Sequence, residues 1–400
     1  MDKAFSIYPI RLESQNQARE LLKNLGVWKD GIDIMAPKAQ HFALKVGPLA
    51  APAAQILKQE MLSKGGEAAT HGEVLKGGSG TFVLLLGTLA QYRRLLPKLS
   101  LQPFHLAQLS KELEAVLEKL VYGDKLRTLG RGNKELIIGR RTLVMGILNV
   151  TPDSFSDGGS YVDVQAAVER AMEIEGQGAD ILDIGAESTR PGYEGVTSQE
   201  EIARLLPVLE RVAGKVKIPI SVDTYKASTA RTVLDNGADI INDVSGSGDP
   251  EMNSTVAAYN VPLILMHSVR ETTQDIMEGL VSSLRQRKSQ AMEEGIREEN
   301  IILDPGIGFC KEVRENLEVI NRLDTLKCLG SPILIGTSRK SMIGEVLQVP
   351  PSERLNGTSA TVAASILRGA DIVRVHDVKE MVQVARLTDA ILGRGEGDNG

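Results

Sequence analysis

The sequence predicts a (β/α)8 barrel preceded by a small separate α/β domain, and three observations carry that prediction. From Arg141 onward, short β-branched runs alternate with helical stretches. Such alternation forces parallel pairing, because each crossover returns the chain to the same end of the sheet. Eight such units in ~250 residues match the size of a closed barrel. Each run also ends in a polar residue, and in a barrel those ends converge on one face. An open doubly wound sheet is the alternative architecture. It would carry GxGxxG after its first strand, where this chain has NVTPDSFSDGG.

Residues 1–125 are expected to form the small domain. AFSIYPIRL alternates like a strand, and QNQARELLKNLG is a helix closing on Gly26. HFALKV and TFVLLLG are further strands. PAAQILKQEMLSKGG, AQYRRLLPKL and HLAQLSKELEAVLEKL are amphipathic helices. KGGSG (76–80) lacks the P-loop spacing and is expected to be a turn into TFVLLLG. The charged, Gly-rich stretch YGDKLRTLGRGNKE (122–135) marks a boundary, with residues 126–138 as linker and 139–400 as barrel.

The eight barrel runs are LVMGILN to Asn149, DILDIGAE to Glu187, PISVD to Asp223 and DIIN to Asn242, then PLILMH to His267, IILD to Asp304, PILIGTS to Ser338, and DIVRVH to Arg374 and His376. Helices are expected over 163–178, 198–214 and 312–327, with the longest from about Asp275 to Gly295. The tail GRGEGDNG (393–400) is expected to fray.

With 400 residues, 42% of them apolar, the chain can bury a full core without staples. Cys310 and Cys328 form neither a disulfide framework nor a zinc spacing, which suits a reducing cytosol. The N-terminus has no signal-peptide core, and no apolar run approaches the ~18 residues of a membrane helix. A cytoplasmic protein without membrane association is therefore expected. The net charge of −6 is uneven: residues 1–138 hold 19 Lys+Arg against 13 Asp+Glu, and residues 139–400 hold 27 against 39. An acidic barrel excludes broad nucleic-acid binding, so an anionic ligand must be met by individually placed Arg, Lys and backbone N–H groups. The basic first segment reads as a solvated mixed-charge surface ahead of an RNA or partner surface.

The convergent strand ends would gather Asn149, Asp223, Asn242, Asp304, Lys340, Arg374 and His376 in one pocket. No cysteine nucleophile and no His-Glu-His zinc cluster stands at a strand end. Two acids accompanied by amides suit recognition of a flat heterocycle better than sugar hydrolysis. Arg374, Lys340 and His376 offer positive charge to an anion, and ESTRPG (187–192) is typical of a mobile phosphate-proximal loop. SRKSMIGEVL starts a helix where backbone N–H groups and Ser341 can bind a carboxylate or phosphate, unless Ser341 only caps its own helix. A single Asn or Asp at a strand end is commonly a turn or cap residue, so the coincidence of seven is what points to a site. Asp243 is expected to be structural, Asp157 a turn former, and His267 a loop histidine supporting its neighbours.

MGILNVTPDSFSDGG (145–159), ESTRPG (187–192), SVDT (221–224), IINDVSG (240–246), LDPGIGF (303–309), SRKSMIG (338–344) and RVHDV (374–378) resemble, in order, the dihydropteroate synthase family over about residues 139–392. The first ~130 residues lie outside the common core of that family. The resemblance implies condensation of 6-hydroxymethyl-7,8-dihydropterin pyrophosphate with 4-aminobenzoate, release of pyrophosphate, Mg²⁺ and competition by sulfonamides. It implies that Asp223, Asn242, Asp304 and Lys340 hold the pterin ring while Met266 and Arg374 sandwich it. Asn149, Thr189, Arg374 and His376 would hold the pyrophosphate, with Asn149 at the metal. Thr189, Arg190, Pro191, Phe309 and Ser341 would form the aminobenzoate site. Asp223, Lys340, Arg374 and His376 are the expected catalytic groups, and a homodimer through the barrel is the expected assembly.

The chain departs from the family's pattern at Ala186, where a second glycine is common, at Ile307, at Cys310 in a common glycine position, and in MHSVR (266–270). These changes bear on the aminobenzoate and drug pocket. The alternative activity is a corrinoid-linked methyltetrahydrofolate methyltransferase, which shares the barrel but needs neither a pyrophosphate site nor an ESTRP loop. Residues 1–125 carry no catalytic constellation and are expected to be an accessory module.

Overall fold

The alternation of HFALKV and TFVLLLG is realised as sheet in the first of two units, which divide at Gly123. The structure is a computed structural model describing residues 6–12, 14–74, 80–123, 126–131, 134–150, 161–187 and 195–395. In chain order the first unit contains α1 (Gln15–Asn24), α2 (Lys29–Ala39), β1 (His41–Leu49), α3 (Ala51–Ser63), β2 (Glu67–Thr70), β3 (Thr81–Thr88), α4 (Leu89–Leu99) and α5 (Leu106–Tyr122). Its antiparallel sheet has the order β1-β3-β2. Val46, Val83 and Leu85 bury one sheet face against Leu57, Met61, Tyr92, Leu95 and Leu99 of the helices. A capping box at Thr88, whose N–H donates to the Gln91 side chain at 2.7 Å, turns β3 directly into α4.

Three expectations for this unit change. Ser6–Leu12, expected to be a strand, is irregular, with Ile7, Tyr8 and Ile10 exposed; Pro9 lacks the N–H that a ladder needs. Helix α2 was not expected, because Pro37 interrupts its pattern. Strand β2 (EAAT) was missed because its alanines carry little strand signal. Of KGGSG, residues 76–79 lie outside the described residues and Gly80 leads into β3.

The second unit opens with a correction to the expected linker. Two strands, β4 (Arg127–Arg131) and β5 (Lys134–Ile138), pair antiparallel as a hairpin. Period-two spacing places Leu129, Leu136 and Ile138 on one side. They pack against Leu143, Met145, Ile181, Ile240, Ile264, Ile302, Leu334 and Ile372, the lower inward residues of the barrel. Lys134 pairs with Asp239 at 3.1 Å, and Arg127 donates to the Gly330 carbonyl, so the hairpin closes the N-terminal end of the barrel. Leu136→Ala is therefore expected to cost about 2–5 kcal/mol in urea unfolding of the full chain, as for other core truncations. A loss below about 0.5 kcal/mol would show that the hairpin is no plug.

The barrel follows as β6 (Leu143–Asn149), α6 (Tyr161–Gly176), β7 (Ile181–Gly185), α7 (Ser198–Val212), β8 (Ile220–Asp223), α8 (Ala227–Asp235), β9 (Ile240–Asp243), α9 (Met252–Tyr259), β10 (Leu263–Met266), α10 (Ile276–Glu293), β11 (Ile301–Asp304), α11 (Val313–Asn321), β12 (Leu334–Ile335), α12 (Ser341–Leu347), α13 (Leu355–Leu367), β13 (Ile372–Val375) and α14 (Val378–Ile391). The parallel ladder runs β11-β10-β9-β8-β7-β6-β13-β12, and a Leu303–Ile333 bridge closes the ring. The second run ends at Gly185, short of Glu187, and the seventh pairs over only two residues. The helix expected over 312–327 divides into α11 and a 3-10 turn at Leu323–Leu329.

Register at the lower end is set by a repeated Gly-Ala-Asp. Gly178, Gly237 and Gly369 each follow a helix with positive φ, the left-handed conformation that ends a helix cheaply. The next residue, Ala179, Ala238 or Ala370, is buried. The carboxylates of Asp180, Asp239 and Asp371 then accept the N–H groups of Val144, Ile220 and Ile333 at 2.8–2.9 Å. With its lower end plugged and pinned, the barrel leaves its upper strand ends free to carry chemistry.

Candidate functional site

Inward-facing positions above the apolar floor carry charge. β13 places Arg374 between two carboxylates: its Nε donates to Asp183 Oδ2 at 2.6 Å and its Nη2 to Asp223 Oδ2 at 2.8 Å. Asn242, on β9, donates from Nδ2 to the same Asp183 oxygen at 3.3 Å. Burial opposes the charge on Arg374, but Asp183 and Asp223 more than offset it and raise its pKa. Burial pushes Asp223 up to about 7; Arg374 opposes this, while Asp183, Glu201 and Asp243 add to it. The site thus contains a carboxyl group that titrates near neutrality beside a fixed guanidinium.

Asp304 ends β11 opposite Met266 at the end of β10, and both are buried. The Asp304 carboxylate accepts the Gly306 N–H at 2.7 Å. Burial raises its pKa, against that hydrogen bond and the charges of Lys340, Arg374 and Lys311. Lys340 precedes α12, with its ammonium 4.4 Å from the centre of the Phe309 ring. Gly308, at φ +81°, keeps that approach open: a Cβ there would lie 3.0 Å from the Lys340 side chain. Cys310 also has positive φ, at +49°, which is why glycine suits that position.

His376 follows β13. Ser338 Oγ accepts the His376 backbone N–H at 3.2 Å and lies 3.0 Å from Nδ1. When the Ser338 hydroxyl donates to Nδ1, the neutral ring carries its proton on Nε2. Burial, then Arg374 and Arg339, lower the His376 pKa to about 4. Those surroundings favour the neutral ring over the cation. Lys340 is the N-cap residue of α12 and Ser341 its first residue, so Ser341 does not cap the helix. Asn149 lies exposed at the end of β6, beside Gly185 of β7.

Supporting contacts surround these groups. His267 is fully buried, with Nε2 2.8 Å from Glu271 and Nδ1 2.9 Å from Lys311 Nζ. Lys311 also reaches the Gly306 and Phe309 carbonyls at 3.1 and 3.3 Å, and burial lowers its pKa to about 8. It thereby ties the turn carrying Phe309 to β10. Glu187 accepts from Tyr225 at 2.8 Å, from the Val196 N–H at 3.3 Å and from Lys226. Asp243 is consumed by Ser245 and Ser247, a structural role as expected.

The structure thus brings together Asp223, Asn242, Met266, Asp304 and Arg374 at the barrel mouth, with Lys340 and Phe309 paired and His376 adjoining. Thr189, Arg190 and Pro191 lie outside the described residues, as does Asp157. Sequence reasoning missed Asp183 and Lys311. A signal for Asp183 was available: an acid inside the buried run DILDIG, on the same parity as Gly185. Nothing periodic marks Lys311, which belongs to a turn.

A Mg²⁺ ion takes oxygen donors and usually shares them with phosphate and water. Asn149 offers one exposed amide oxygen, and among the described residues no group of three or more His, Cys, Asp or Glu side chains forms a cage. That donor set fits a cation carried largely by a phosphate ligand.

Residues 145–376 match the family described as "Pterin binding enzyme". A dihydropteroate synthase from Bacillus subtilis is 52% identical over 257 residues, spanning 64% of this chain and 90% of that protein. A probable bifunctional folylpolyglutamate synthase/dihydropteroate synthase from Halobacterium salinarum is 40% identical over 390 residues, 95% of this chain and 46% of its own length. That span takes in most of the first unit. Among solved structures, dihydropteroate synthase from Clostridium difficile in the presence of pteroic acid superposes with a TM-score of 0.62 at 48% identity, covering 64% of this chain and 98% of that one.

Proposed function

The chain belongs to the dihydropteroate synthases, pterin-binding transferases of folate biosynthesis, and on that premise we propose how its barrel condenses 6-hydroxymethyl-7,8-dihydropterin pyrophosphate with 4-aminobenzoate. The observation that carries the reading is the constellation at the strand ends of half-buried Arg374 and Asp223 with buried Asn242 and Asp304, backed by buried Asp183. Carboxylates and an amide oxygen can accept the N–H groups of an amino-pyrimidinone edge. Met266 and the Arg374 plane supply faces for a flat ring.

Roles follow from charge. Asp223 offsets positive charge that develops on the pterin methylene as the C–O bond breaks. Arg374, the Nε2–H of His376 and Lys340 meet the departing pyrophosphate, with Asn149 and Thr189 at its far end. Mg²⁺, held by Asn149 and phosphate oxygens, would supply neutralisation of the leaving group when bound. Thr189, Arg190, Pro191, Phe309 and Ser341 form the aminobenzoate side, from which the neutral amine attacks. The reading also carries a homodimer through the barrel, a cytoplasmic location and an accessory role for residues 1–125. No helix among the described residues is long and apolar enough to cross a membrane.

The test is a pyrophosphate-release assay with dihydropterin pyrophosphate, 4-aminobenzoate and Mg²⁺. Stoichiometric dihydropteroate and pyrophosphate are expected. Absence of product, together with methyl transfer from methyltetrahydrofolate, would replace this reading with the corrinoid-linked one.

A further inference from the structure

Asp183 is fully buried on β7 and has no place in the roles assigned above. We infer that it is a positioning residue: it fixes the plane of Arg374 and, through shared possession of that cation, sets the charge state of Asp223. This inference rests on the reading of the reaction just given.

Geometry is the first ground. Nε and Nη2 form one edge of the guanidinium, an edge that commonly grips a single carboxylate with two parallel bonds. Here the edge is divided between carboxylates on neighbouring strands, β7 and β8. A divided edge holds the plane from two directions, and Asn242 locks the Asp183 oxygen that does so. The second ground is an unsatisfied atom. Among the described residues, Asp183 Oδ1 is buried without a hydrogen-bond partner, and so is Oγ of Ser221, its register partner on β8. A buried carboxylate oxygen left unpaired is a costly arrangement for a merely structural acid, since an amide or apolar residue would remove the cost.

The third ground is where the excess charge goes. One guanidinium cannot neutralise two carboxylates. Asp183 is fully enclosed, whereas the Asp223 side chain retains 12% exposure at the mouth, where a ligand would meet it. The charged groups around Asp223 are Arg374 on β13, Asp183 on β7, Glu201 on α7 and Asp243 on β9. Glu201 is engaged by Lys226 at 3.2 Å and Asp243 by Ser245 and Ser247. Asp183 is the acid that shares the Asp223 cation directly, so its charge raises the affinity of Asp223 for a proton.

The experiment uses the full chain and Asp183→Asn, with kcat and kcat/KM for the pterin substrate measured across the pH range. The amide can still accept from Arg374 but carries no charge. The expected result is a fall in kcat/KM of at least ~10-fold and an acid limb displaced to lower pH by at least ~0.5 unit, because a like charge has been removed from Asp223. A profile that superimposes on the wild type, or an unchanged kcat/KM, overturns the inference. Asp183→Ser is run alongside; loss of the fold in both variants makes Asp183 a folding determinant and equally overturns it. Wild-type turnover separates the two failures. If the wild type forms no product, the reaction assignment falls, and Asp183 is judged from the pH dependence of dihydropterin pyrophosphate binding by calorimetry.

Discussion

Arg374→Met is expected to abolish turnover, by at least ~10³-fold, and to destabilise the barrel more in neutral solution than in acid. Among the described residues, Arg374 is the sole cation bonding both Asp183 and Asp223. Removing one partner of a buried ion pair strands the other, at a cost of about 3–5 kcal/mol; here two carboxylates are stranded at once. Methionine fills similar volume, so the effect is electrostatic rather than a cavity. The sign follows from linkage. In the wild type burial already pushes Asp223 up to about 7 despite the guanidinium. Without the guanidinium, Asp223 binds its proton still more tightly when folded than when unfolded. A raised folded pKa stabilises the fold below the unfolded value and loses that contribution as pH rises through the folded value. Urea unfolding at pH 8 should therefore reveal the full penalty, and at pH 5 a smaller one. Equal losses at the two pH values would mean that the guanidinium matters only for packing.

The barrel was legible because its period and its polar strand ends are local features of the chain. Asn149, Asp223, Asn242 and Asp304 each fall within a residue of a strand's observed end. Asp183 was not, although it stands in a buried run, because attention to run ends passes over the residue one inward step below. What makes Asp183 matter is a contact across 191 positions of sequence, to Arg374, and no local pattern announces it. His376 shows a different limit. Residue type suggested a cation, but burial beside Arg374 favours the neutral ring, and neither burial nor that neighbour is visible in local sequence. The hairpin at 127–138 was mistaken for linker because its Gly and charges are conspicuous, while its three apolar residues become meaningful only once a barrel end needs closing. The Gly-Ala-Asp repeats stood in plain view as helix stops, but their hydrogen bonds reach the neighbouring strands and need the ring to be seen.

Asp223→Asn separates charge from shape at the same site, and its two readouts should move in opposite directions. The amide oxygen can still accept from Arg374, which also keeps Asp183 as partner, so no buried charge is stranded. The Asp223 pKa is raised, so the protonated form is the one that stabilises the fold. That contribution is present below the ordinary carboxylate range and is lost as pH rises to about 7. Above it, the wild type carries an ionised group that burial disfavours, and the neutral amide does not. Stability at pH 8 should therefore hold or rise in the variant, by at most about 4 kcal/mol, and its pH dependence between 4 and 7 should flatten. Catalysis should suffer instead. Without that negative charge the ring site loses the carboxylate assigned to offset the developing pterin cation, and kcat should fall ~10²–10⁴-fold. KM for the pyrophosphate substrate should not rise in step, because the site has become less negative toward an anion. A residue needed only for ring binding would raise KM and leave kcat in place. Near-normal kcat in Asp223→Asn would therefore remove the electrostatic role from Asp223 and leave it as a hydrogen-bonding group.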